Sequence, residues 1–462
     1  MHPRLLFSIV LPVALLAQAG GAPQEPADLN KQIAQMAAVI QRLEHRVDEL
    51  EAKLANVAPS PGTTSQRATN EVQPALPASE HVVPSAPAES TFLRGTSLNV
   101  LMDGYYGYNF NQPIGRVNRL RAYDVASNAF SLNQAAVVVE NAPNPAEGKR
   151  WGVRLDLQFG QATATLQGNV ANEPRPEIYR NIFQAYGTYV APIGNGLTID
   201  FGKWASSLGI ENNFTQDQLN YSRSYWFDFL PFYHMGARFS YPLTKTLTAN
   251  YWITNGTQQT EPFKDFKDQF GGLTFQPSDK LSWSVNYYFG QEHPDVLFLP
   301  NSTTPGLPTQ QGVPFLPIVH APKGKLHIID SYATWQATPK LTLAAEGDYV
   351  IERLQTNSAP QRTWGGAGYA RYQLSPRLAI AGRTEYLADR GGLFTGVSQA
   401  LKETTLTFEQ RVIQGFLIRQ EWRRDFSNQP YFFTPTLGLL KREQNTATIG
   451  VVWWFGAKKS PW

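Results

Sequence analysis

Cysteine is absent from all 462 residues, which removes disulfide staples, thiolate metal sites and a lipid anchor on cysteine from consideration. The formal charge of +3 is close to neutral for such a length, so no nucleic-acid partner is implied. Histidines number only seven and are dispersed along the chain. Neither G-x-S-x-G nor H-E-x-x-H occurs, and hydrolysis needs a nucleophile with its base, or a set of metal ligands. One carboxylate pair, Glu346 and Asp348, sits at alternate positions of a strand-like segment, which is how any polar sheet face looks. No catalytic residue, metal or cofactor is therefore expected. Beyond the first residues no apolar run reaches about eighteen residues, the length a helix needs to cross a bilayer.

What is present falls into distinct regions. Arg4, an apolar run from Leu5 to Leu16 and then Ala17-Gln-Ala19 have the order of an export signal, expected over residues 1–19. From 28 to 58 the apolar residues step by four and three. This places Ile33, Ile40, Val47 and Leu54 at heptad position a, with Leu29, Met36, Leu43, Leu50 and Val57 at d. A short α-helical coiled coil is the expected result. Residues 59–97 scatter prolines among Ala, Ser, Thr and Glu without any period, the composition of a linker.

From residue 98 to the C-terminus the pattern becomes alternation with period 2. In Trp151 to Phe159 the odd positions are apolar while Arg154, Asp156 and Gln158 lie between them. A soluble sandwich alternates too. Connection lengths decide, because short proline-bearing turns (277–280, 339–340, 376–377) take turns with long loops (206–231, 256–268, 291–325, 353–362, 389–400, 426–445). That threading is expected of an all-β transmembrane barrel in an outer membrane, over residues 98–462, with its turns in the periplasm and its loops outside. About sixteen antiparallel strands fit, beginning near 98, 129, 150, 180, 197, 232, 246, 269, 281, 326, 341, 363, 377, 401, 415 and 446.

Register follows from cost. An arginine facing lipid at mid-depth costs roughly 2–4 kcal/mol, so the charged member of each alternation should face the lumen. This assigns Arg154, Asp156, Arg238, Asp330, Glu346, Asp348, Arg371, Arg383, Glu385, Glu409, Arg411, Arg419, Glu421 and Arg423 to the pore lining, with Asp103 and Asp200 on the same face. Acids and bases occur together. A polar, hydrated lumen without overwhelming preference for one ion sign is therefore expected. At the chain end Thr448, Gly450, Trp453 and Phe455 are similar to the terminal strand read by the barrel-assembly machinery, although seven residues follow Phe455.

Several segments add a family resemblance. Asp103 to Asn111, Phe130 to Ala135, Gly202-Lys203, Gly209 to Glu211, Asn220 to Ser224, Pro231 to His234 and Arg423 to Ser427 resemble the OmpL-like β-barrel porin family over about 98–455. The resemblance implies an outer-membrane porin passing small hydrophilic solutes or ions, without cofactor or catalytic residue. It also implies that the third long loop folds inward and narrows the pore, making Glu211, Asp217, Arg223 and Asp228 constriction candidates. The expected partners are outer-membrane lipid, the assembly machinery and further copies of the chain. β-Branched residues at a with Leu at d favour a dimeric coil, whereas porin assembly favours a trimer. A coil of about thirty residues spans roughly 45 Å, and with the linker it would reach the cell wall, so contact with peptidoglycan and a tethering role are further expectations.

Overall fold

The computed structural model describes residues 95–456, apart from 168–172, 174, 299–317, 321–323 and 354–358. The expected export signal, the coiled coil and the linker up to residue 94 lie outside the described residues. Among those described, no helix is long and apolar enough to cross a membrane. The chain crosses with strands instead.

Sixteen strands close into one barrel. The first nine are β1 (Thr96–Asn109), β2 (Ala129–Asn141), β3 (Trp151–Phe159), β4 (Ile182–Ala191), β5 (Leu197–Ala205), β6 (Tyr233–Pro242), β7 (Leu247–Thr254), β8 (Asp268–Ser278) and β9 (Leu281–Gly290). The remaining seven are β10 (Leu326–Gln336), β11 (Leu341–Glu352), β12 (Gln361–Ser375), β13 (Leu378–Arg390), β14 (Gln399–Ile413), β15 (Phe416–Ser427) and β16 (Glu443–Gly456). Each pairs antiparallel with its sequence neighbours, and β16 closes the sheet on β1, with Val100 opposite Phe455 and Tyr105 opposite Gly450. Closure leaves no edge strand, the condition for a sheet in hydrocarbon. The first strand begins two residues before the expected boundary, at Thr96. Short ribbons in the loops, Val296–Phe298 with Ile318–His320 and Phe432–Phe433 with Leu440–Lys441, stay outside the barrel.

Alternation sets the two faces. Along β3, Trp151, Val153 and Leu155 are exposed while Arg154, Asp156 and Gln158 are buried. Along β15, Trp422 and Phe426 point out and Arg419, Glu421, Arg423 and Asp425 point in. The exposed apolar side chains are the ones a lipid chain would cover.

The lumen differs from expectation. Eleven of the fourteen residues assigned to a hydrated pore lining are buried, and only Arg238, Arg371 and Arg411 remain partly or fully open to water. Towards the long-loop end the interior is apolar: Trp252 stacks on Phe270 with ring centres 3.7 Å apart, and Trp204 meets Trp252 edge-on. Leu326, Ile328, Val350, Leu387 and Leu401 continue this cluster along the wall. The reason is the third long loop, which occupies the space that the sequence pattern assigns to water.

Candidate functional site: a loop clamped inside the lumen

The loop between β5 and β6, residues 206–232, enters the barrel. It carries one tight turn, Thr215–Asp217, and one short helix, Tyr225–Phe229, whose N-cap Ser224 accepts from the Phe227 N–H at 2.9 Å. An irregular backbone away from water must find partners for its N–H and C=O groups, since each orphan costs about 1–3 kcal/mol. The inward charges of the wall supply them. Glu421 accepts from the Tyr221 and Ser222 N–H groups at 2.6 and 3.0 Å, and Glu385 from the Tyr225 N–H at 2.7 Å. Arg419 donates to the carbonyls of Thr215, Gln218 and Asn220, Arg383 to those of Ser222 and Arg223, and Arg423 to that of Arg223. Wall charge thus stands in for water along the loop.

These charges also neutralise one another. Arg383 lies 2.9 Å from Glu211, 3.1 Å from Glu403 and 3.2 Å from Glu385. Arg423 pairs with Asp425 at 2.9 Å, and Glu409 is shared by Arg419 and Arg371 at 2.8 Å each. Arg121 reaches down from the first long loop to Asp425 at 2.7 Å. Removing one partner of such a buried set strands its opposite charge, a loss of about 3–5 kcal/mol.

The loop spans to the far wall as well. Thr215 Oγ1 donates to Asp103 at 2.7 Å, and the Tyr221 hydroxyl donates to the other oxygen of Asp103 at 2.9 Å. The Tyr221 ring rests on Gly450 of β16, where an added Cβ would come within 2.2 Å of ring carbon Cε2. At the loop's entry, Gly209 adopts a left-handed φ of +83° and its N–H donates to Asp330 at 3.2 Å. On the β5–β9 side, Leu208, Trp226 and Leu230 of the loop complete the apolar cluster.

The four constriction candidates do different things. Glu211 bridges loop and wall, pairing with Arg383 and accepting the Ser224 N–H at 2.8 Å. Arg223 folds back on its own loop, donating to the carbonyls of Tyr221 and Asn213 beneath the Tyr123 ring. Asp228 lies in the short helix, where burial pushes its carboxyl up to about 6 against the pull of Arg423 and Arg121. Asp217 faces a cavity of about 1340 Å³ that opens beneath the loop at the short-turn end. The sequence pattern left out Glu403, Asp425 and Arg121. The first two share strand parity with Glu409 and Arg423, so alternation alone would have found them; Arg121 is in a loop and gives no such signal.

In sequence the chain matches no curated protein. Among solved structures it is similar to the outer membrane channel DcaP of Acinetobacter baumannii, at 9% identity and a TM-score of 0.49, over 78% of this chain and 98% of that one. It is likewise similar to an anion-selective porin from Comamonas acidovorans, at 8% and 0.49, over 78% and 99% of the two chains. OpdQ of Pseudomonas aeruginosa follows at 10% and 0.43, over 80% and 100%. The model of the beta-barrel porin-2, OmpL-like family matches residues 95–455, which is the whole barrel with its inserted loop. The chain therefore belongs to that family and is an outer-membrane porin.

Proposed function

We propose that this porin passes small hydrophilic solutes passively, with the third loop setting the cut-off and with a mild preference for anions. The cavity beneath the loop carries the reading. Its charged lining is Arg371, Arg377, Arg411 and Arg419 against Asp217 and Glu409, four bases to two acids. A basic excess in a restricted polar passage raises the local concentration of anions. Planar-bilayer recording tests this: in a salt gradient the reversal potential should be small and of anion sign. A silent bilayer, a cation sign or ideal selectivity overturns it.

A channel role without catalysis is the reading taken for the barrel, and Glu346 accepts from the Ile210 N–H of the inserted loop. Thr448, Gly450, Trp453 and Phe455 lie in β16, a position that suits reading by the assembly machinery. The heptads of 28–58 support self-association; their core favours a dimer, but porin assembly favours a trimer, in which three linkers on one face would raise the effective concentration of the coils. The reach of coil and linker supports a contact with peptidoglycan and a tethering role beside transport.

A further inference from the structure

Three wall acids stand apart from the arginine clamp. Asp330 on β10 and Asp348 on β11 are direct cross-strand partners, and Glu346 lies two residues before Asp348 on the same inward face. One carboxylate oxygen from each lies within 4.8 Å of those of the other two, and all three side chains are buried. Glu211, Glu403, Glu409 and Asp425 each have an arginine nitrogen within 3.1 Å. Among the described residues, no lysine, arginine or histidine lies at ion-pair distance from the three.

Asp330 and Glu346 nevertheless have donors. Asn286 and the Gly209 N–H donate to Asp330 at 2.6 and 3.2 Å; the Ile210 N–H and the Tyr369 hydroxyl approach Glu346 at 3.4 and 3.5 Å. Asp348 has none. It is 5% exposed, neither of its oxygens touches water or accepts a hydrogen bond, and it points at the other two carboxylates. A buried carboxylate without donor or counter-charge is too costly to persist ionised, so the cluster takes up either protons or a cation.

We propose that Asp330, Glu346 and Asp348 form a divalent-cation site, best suited to Ca²⁺, that pins the entry of the third loop. The donor set is all oxygen, which selects a hard cation. Two Ca²⁺–oxygen bonds of about 2.4 Å span up to about 4.8 Å, whereas two Mg²⁺–oxygen bonds span only about 4.2 Å. Donors fixed by strand register also suit Ca²⁺, which tolerates irregular geometry, better than Mg²⁺, which demands a near-ideal octahedron. Further ligands would be water, since Ca²⁺ takes about six to eight oxygens. The ion would keep all three carboxylates ionised, and in that state Asp330 and Glu346 hold the N–H groups of Gly209 and Ile210. Binding at the wall thereby stabilises the seat of the loop.

The site does not depend on the conductance reading, because binding is measured without a bilayer. Equilibrium dialysis with Ca²⁺ alone, on the full chain in detergent after chelation, should give one saturable site per chain. Asp348→Asn and Asp330→Asn should each weaken it by about tenfold or more, since ligand charge sets affinity. Glu443→Gln, at an exposed pair with Arg424, should leave it unchanged. Heat-modifiable migration on gels shows which variants are folded; if one is not, the other and the wild-type stoichiometry decide. No saturable binding up to roughly millimolar Ca²⁺, the weak end for extracellular sites, overturns the proposal. So does equal binding by both folded variants, or a carboxylic-acid infrared band that Ca²⁺ leaves in place, which would mean that the three acids share protons instead.

Discussion

Replacing Arg383 with methionine tests the clamp most directly. The guanidinium faces Glu211, Glu385 and Glu403 within 3.2 Å and holds the carbonyls of Ser222 and Arg223. Methionine keeps much of the volume and removes the charge and every donor. Losing one member of a buried ionic set costs about 3–5 kcal/mol, and Arg423, which stays 3.8 Å from Glu403, places the effect near the lower figure. If that energy falls on the equilibrium between seated and released loop, about 3 kcal/mol is a shift of roughly a hundredfold or more. Arg383→Met should therefore give a folded barrel with longer open times and larger mean conductance in bilayers. Limited proteolysis should cut within 206–232 where the wild type resists. Glu211→Gln in the same background should cost less than in the wild type, because the partner is already gone. A folded variant with unchanged conductance and unchanged protease resistance would refute the clamp.

Gly450→Ala puts a methyl where Tyr221 sits, a clash of the kind that costs about 1–3 kcal/mol, so the assembled barrel should conduct more; a barrel that fails to insert would instead show that Gly450 serves assembly. Acidity should also seat the loop: Asp228 holds its proton to about 6 in the seated state, against 3.8 for an ordinary aspartate. A carboxyl raised in this way stabilises the seated state fully below the ordinary value and loses that effect as pH rises through the raised one. Conductance should accordingly climb between about pH 4 and 6 and be flat above, and Asp228→Asn should abolish the step; an unchanged step in that variant counts against the assignment. Native mass measurement with and without residues 20–60 should show oligomers that need the coil, and monomers in both cases would give the coil another partner.

The sequence by itself determined the barrel. Period-2 alternation and the exchange of short turns with long loops give about sixteen strands, whose starts at 129, 197, 281, 326 and 341 coincide with those observed. Parity determined which side chains turn inward, because the cost of a charge in lipid allows no other register. What the inward face meets is not a local property. Trp252 alternates with lipid-facing Tyr251 and Ile253 just as a polar residue would, yet it lies in an apolar pack with Phe270 and Trp204. Glu421 and Arg419 read as a hydrated lining and in fact bond the backbone of a loop some two hundred residues away in sequence. Asp330 and Asp348 are eighteen positions apart, and only the register of β10 on β11 sets them face to face. Strand periodicity comes from neighbours along the chain, whereas the contents of the lumen depend on where a long loop goes to find its hydrogen bonds. That choice is made by the closed barrel as a whole.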